Sequence, residues 1–172
     1  MDNINFLKVF FETPNKWHHI RGYARANNIS PSTAFKYLNE FYKKNLIEKK
    51  KEHNLVLYKA NDSSEDFRDM KIFWNIKMIK DSKLLDYLEE KLSPKCIILF
   101  GSIAKGTDHK DSDIDLFIMS SVKKEINLGR YESILGRHIQ FFSSDENQLK
   151  KQKELGNNIL NGIILRGYIE IL

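Results

Sequence analysis

Lys95–Phe100 (K-C-I-I-L-F) is an apolar run of strand length that stops at Gly101-Ser102. After ten intervening residues comes Asp113-Ile114-Asp115, which continues into a second apolar stretch, Leu116–Met119. Runs of this length and composition predict two buried strands, with a strand-to-helix turn at the glycine. Residues two apart on a strand point to the same face, so the Asp113 and Asp115 carboxylates share one side of the sheet. The chain must therefore build an apolar sheet that carries two acids at one end.

A length of 172 residues leaves room for one ordinary domain or two small ones, and 41% hydrophobic with 30% charged residues is a globular mixture. Disorder, collagen and a disulfide-dense scaffold are excluded. Cys96 is the single cysteine, so no intrachain disulfide forms and a cytoplasmic setting is expected. Met1–Phe10 lacks the basic head, long apolar run and cleavage site of a secretory leader, and no window reaches the roughly 18 to 20 apolar residues of a bilayer span. No membrane partner is expected. Charge is unevenly placed: residues 1–60 carry 11 Lys and Arg against 5 Asp and Glu, a net +6, which leaves −1 for the remainder. A basic block on a small folded unit is the footprint of a polyanion partner.

In that block, Phe6, Leu7, Phe10 and Phe11 form one helical stripe within Asn5–Glu12, closed by Pro14. Trp17, Ile20, Tyr23 and Ala24 predict a second helix over Trp17–Asn27. Ser30 then offers an N-cap and Pro31 a first helical position for a third helix to about Lys44, with Ala34, Tyr37, Leu38 and Phe41 as its apolar stripe. Leu46–Lys51 and Leu55–Ala60 read as two strands joined at Glu52-His53-Asn54. Three helices followed by a hairpin resemble the winged helix-turn-helix family. The resemblance implies that the third helix reads double-stranded DNA, with Ser32, Thr33, Phe35, Lys36, Asn39 and Lys43 on or near its exposed face. Lys49, Lys50 and Lys51 would lie on the wing beside phosphates, and Asn39 or Thr33 would meet base edges. His18 and His19 lack metal-ligand spacing.

Asn61–Glu65 turns polar and marks a boundary, after which Phe67, Met70, Phe73, Trp74, Ile76, Ile79, Leu84, Leu85 and Leu88 return at helical spacing. One long helix, or two joined near Asp81-Ser82, runs to about Leu92, and part of its stripe suits a homodimer seam. The expected organisation is α+β: a winged helix-turn-helix over 1–60, a helical connector over 61–92, and a third domain over 93–172.

That third domain holds the G-S, ten residues, D-x-D pattern, and here the chain resembles the polymerase-β-like nucleotidyltransferases, in particular their minimal branch. The resemblance implies a small mixed sheet, a nucleoside triphosphate substrate such as ATP, and Mg2+ (or Mn2+) on Asp113 and Asp115. Gly101 leaves space at the turn for backbone amides and the Ser102 hydroxyl to approach phosphates, Lys105 is placed to meet them, and Ser112 braces the turn. Two carboxylates on one face suit a hard cation that takes oxygen ligands. Asp108, His109, Lys110 and Asp111 lie between the motif halves and are expected to be solvated.

Members of that family that transfer nucleotides carry a third carboxylate on the next strand. The matching strand here is His138–Phe142, and the residue expected to face the two aspartates is Gln140, with Asp145 or Glu146 beyond the strand and Glu132 before it as the alternatives. Glutamine offers an oxygen to a metal but no negative charge and no base. A basic amphipathic helix over Gln148–Leu160, then Ile163–Leu165 and a closing strand at Gly167–Leu172, complete the chain. Two functions are compatible with these residues. One is transfer of a nucleoside monophosphate to a hydroxyl acceptor, a protein in the AMPylation version. The other is a DNA-binding regulator whose second domain senses a nucleotide or scaffolds a dimer.

Overall fold

The computed structural model describes residues 4–144 and 153–169. It divides into two compact units, one formed by residues up to Lys71 together with Asp108–Lys110, the other by Ile72–Thr107 and the residues from Asp111 onward.

The first unit begins with a 3-10 turn, Ile4–Leu7, that runs into α1 (Lys8–Glu12). Thr13 ends α1 by donating its hydroxyl to the Val9 carbonyl at 2.7 Å. Two residues, His18–His19, form strand β1, and α2 spans Ile20–Ala26. The helix expected from Trp17 therefore starts three residues later. His18 and His19 pair with Tyr58 and Leu57 instead, and His19 Nδ1 caps α2 by accepting from the Gly22 amide at 3.0 Å. α3 (Pro31–Lys43) follows, with Ser30 Oγ accepting from the Thr33 amide and Pro31 in the first turn. Asn45, at φ +57°, lets the chain leave the helix.

β2 (Ile47–Glu52) and β3 (Leu55–Ala60) make a hairpin whose two turn residues, His53 and Asn54, are both left-handed, the geometry that suits a two-residue connection. The antiparallel sheet has the order β1-β3-β2. Its core holds Leu7, Phe10, Phe11, Tyr23, Leu38, Phe41, Ile47, Tyr58 and Phe67. Lys71 and Asp108 are buried in the same unit, where the Lys71 ammonium bonds the Asp108 carbonyl and stands 3.4 Å from its carboxylate. Asp108 is thus no solvated loop residue, because a buried cation takes it out of water; His109, Lys110 and Asp111 are exposed.

α4 (Glu65–Asp81) and α5 (Leu84–Leu92) are two helices, separated where Lys83 takes φ +67° and Ser82 Oγ bonds the Ile79 carbonyl. The second unit is built on a sheet of β4 (Cys96–Phe100), β5 (Ile114–Met119), β6 (Ile139–Ser144) and β7 (Ile163–Gly167) in the order β6-β5-β4-β7. The β5–β6 pair is parallel and the other two pairs are antiparallel.

Alternation divides the sheet's side chains between two cores. Ile97, Leu99, Ile114, Leu116 and Ile118 pack with Leu84, Leu85, Leu88 and Leu92 of α5 and with Tyr131 of α7 (Gly129–Leu135). Cys96, Ile98, Phe100, Phe117 and Met119 pack with Ile159 of α8 (Lys153–Leu160) on the other side. The expected helix over Gln148–Leu160 lies partly outside the described residues. The last strand among the described residues is Ile163–Gly167: Leu165 is buried, Ile163 packs against the same core, and Gly167 ends the strand at φ +70°; the strand expected over Gly167–Leu172 lies partly outside the described residues. No helix among the described residues is long and apolar enough to cross a membrane.

Candidate active site

Phe100, the last residue of β4, pairs with Asp115 on β5. Gly101 follows at φ +72° and opens α6 (Gly101–Lys105). An added Cβ at 101 would overlap Oδ2 of Asp115 and stand 3.0 Å from its Cγ. The Asp115 carboxylate therefore fills the space that glycine leaves, and only glycine meets both the positive φ and the close approach. α6 is anchored by buried Ile103 and closed by Gly106, while the Thr107 amide donates to the Ser102 carbonyl at 3.0 Å. Ser102 is half-buried in the first turn and Lys105 exposed in the last.

Asp115 is half-buried and Asp113 exposed. Burial, and after it the neighbouring Asp113 charge, push the Asp115 carboxyl above the usual carboxylate range. Among the described residues no cation pairs with either acid, and no group of three His, Cys, Asp or Glu is placed to hold a metal. The donor set is thus two carboxylates whose repulsion a divalent cation relieves. It fits a hard ion that takes its remaining ligands from water and phosphate oxygens, as Mg2+ or Mn2+ does.

In the parallel pair Gln140 is the register neighbour of Asp115, so its exposed side chain leaves the sheet on the same face. The residue beside the acids is a neutral amide. Of the alternatives, Glu132 is committed elsewhere: its Oε1 accepts from the Ile139 amide at 2.9 Å and contacts His138 Nδ1 at 2.6 Å. The Ile139 bond in the first place holds the Glu132 carboxyl below its ordinary range. Asp145 and Glu146 lie outside the described residues. The Ser112 carbonyl accepts from Arg137 Nη1 at 3.3 Å, and the next-but-one amide, of Ile114, donates to the His138 carbonyl at 2.9 Å. These links hold the start of β5 to the start of β6. Sequence reasoning missed them because their partners lie across the sheet.

In the first unit the residues assigned to DNA fall into three groups. Ser32 and Thr33 have hydroxyls 2.8 Å from Ser30 Oγ, so both belong to the N-cap cluster of α3. Lys36 and Lys43 are exposed on α3 and Asn39 is half-buried. The three wing lysines do not act together. Lys49 and Lys51 lie on the sheet face shared with Tyr58, and Lys49 stands 5.4 Å over the Tyr42 ring of α3. Lys50 lies on the opposite face, 4.5 Å over Trp17 and 2.6 Å from Glu52.

Residues 81–162 match the family model of the nucleotidyltransferase domain, a span that contains β4, the glycine turn, β5 with its acids, and Gln140. No curated protein and no solved structure matches the chain.

Proposed function

From a nucleotidyltransferase domain over residues 81–162, we propose that the second unit transfers a nucleoside monophosphate from a triphosphate to a hydroxyl acceptor, a protein side chain in the AMPylation version. The observation that carries this reading is the Asp115 carboxylate seated against Gly101, which joins the glycine turn and the acid pair in one place. Amides of the turn and the Ser102 hydroxyl bind the phosphates, and Lys105 adds a positive charge that no carboxylate among the described residues pairs. Asp113 and Asp115 hold Mg2+ or Mn2+, which when bound neutralises triphosphate charge and favours in-line displacement. The acceptor oxygen forms the new bond to the α-phosphorus, the bond to pyrophosphate breaks, and the hydroxyl proton leaves to solvent, because Gln140 cannot take it.

The test is incubation with each labelled triphosphate, magnesium or manganese, and cell lysate, with transferred label read on a gel and by mass spectrometry. Transfer that disappears in Asp113→Asn/Asp115→Asn supports the enzyme; triphosphate that binds equally well to this variant overturns the site.

A second reading is supported by Gln140 beside Asp115. In it the domain binds the nucleotide without turnover, and the first unit, whose helices and hairpin resemble a winged helix-turn-helix, is a nucleic-acid-binding regulator that places two copies on two half-sites. Gln140→Glu separates the readings. A rate raised about tenfold or more, from a restored carboxylate, supports an enzyme held back by its amide, whereas nucleotide binding with no transfer in either form supports the sensor.

A further inference from the structure

α3 has an unusual exposed side for a helix that reads a duplex. Its two largest exposed side chains are aromatic: Phe35 is 51% accessible and Tyr42 48%. They are seven residues apart, which brings them to nearly the same side of the helix about 10 Å from each other. Lys36 and Lys43 repeat the same interval one residue along, so an aromatic stripe runs beside a basic one. Lys49 extends the basic stripe from β2 and stands over one ring. Hydroxyls that would read base edges from the start of α3 are instead engaged with Ser30.

Some cations of the unit have a carboxylate partner among the described residues, and others, Lys16, Arg21 and Arg25 as well as those on this side, have none. Lys8, Lys44, Lys50 and Lys59 each have a carboxylate within 3.6 Å, from Glu12, Glu40, Glu52 and Glu48 respectively. Lys36, Lys43, Lys49 and Lys51 have none among the described residues. Positive charge without counter-charge, interleaved with rings that water covers poorly, is complementary to a phosphate backbone whose bases are free to stack.

We propose that this side of α3 and β2 binds a nucleic acid strand with unpaired bases, which stack on Phe35 and Tyr42 while Lys36, Lys43, Lys49 and Lys51 track the phosphates. The inference rests on the nucleic-acid reading of the first unit and changes its partner from duplex to single strand. Base-on-ring stacking tolerates any sequence, since every base has a π-face, so affinity and not base order is what these residues set.

The test is fluorescence anisotropy of the full chain with labelled dT12, U12 and a 12-base-pair duplex at two salt concentrations. Single strands are expected to bind about tenfold or more tightly than the duplex. Phe35→Ala and Tyr42→Ala are each expected to weaken single-strand binding by about tenfold with no change in salt slope, whereas Lys36→Ala and Lys43→Ala each lower the slope by about 0.7. The four positions are exposed or nearly so, and unchanged thermal melts verify the variants' folding. The dT12 and U12 arms decide between DNA and RNA as the source of the strand. Duplex binding at least as tight as single-strand binding, or aromatic variants that bind like the parent, overturns the stacking proposal and leaves nucleic-acid binding standing. Absence of binding to all three probes at low salt overturns both.

Discussion

Gly101 is where backbone geometry and site chemistry meet. At φ +72° a residue with a side chain is strained, and at this position the side chain would also collide with Asp115. Gly101→Ala is therefore expected to destabilise the second unit by about 1–3 kcal/mol and to move either the turn or the acid. Nucleotide affinity should fall by more than that loss of stability explains, because the displaced carboxylate is a proposed metal ligand. Denaturant midpoints and triphosphate titrations on the same variant separate the two effects; a destabilised protein with parental affinity would show that the turn takes up the strain without displacing the acid. Gln140 teaches the converse. Its place beside Asp115 was expected from the family resemblance, which puts a carboxylate on the next strand, and the register of β5 with β6 agrees, but what an amide does there is decided by chemistry that the strand pattern does not contain.

Elements were legible in proportion to how local their determinants are. α3 announces itself through Ser30, Pro31 and a stripe within its own thirteen residues, and β4 and β5 through continuous apolar runs. β1 is different, since two histidines make a strand only because β3, some forty residues on, offers Tyr58 and Leu57 as partners. Likewise β7 is set by its pairing with β4, far away in sequence, and by Gly167 at its end. The misread element carries a testable property. His18 lies against Phe10 and bonds Thr13; burial first, then Lys16 and His19, depress its pKa below 6.5. The folded state thus favours neutral His18. This contribution to stability is complete above the unfolded value near 6.5 and is lost as pH falls through the lower folded value. The urea midpoint of the first unit should drop between about pH 7 and pH 5, and His18→Gln, which keeps a polar partner for Thr13, should flatten that slope.

At the scale of the molecule, the first unit is not contiguous in sequence. Its contacts include Asp108–Lys110, drawn from the segment between the G-S turn and the D-x-D strand, and the Lys110 amide donates to the Glu12 carbonyl at 3.2 Å. The anchor is the Lys71–Asp108 pair, with both side chains almost wholly out of water. Neither the polar composition of that segment nor any spacing announces it, because a buried ion pair 37 residues apart has no local sequence pattern. Two charges in so dry a place are stable only together: removing one leaves the other desolvated, which costs about 3–5 kcal/mol. Asp108→Leu should accordingly destabilise the first unit by about that amount in urea unfolding. Lys71→Met combined with Asp108→Leu should recover most of the loss, since an apolar pair of similar volume needs no compensating charge. A fragment that ends at residue 92 lacks Asp108 altogether, and its first unit should unfold at a lower urea midpoint than the same unit in the full chain. Equal midpoints would mean that the pair is replaceable by water, and that the unit needs nothing from the motif segment to fold.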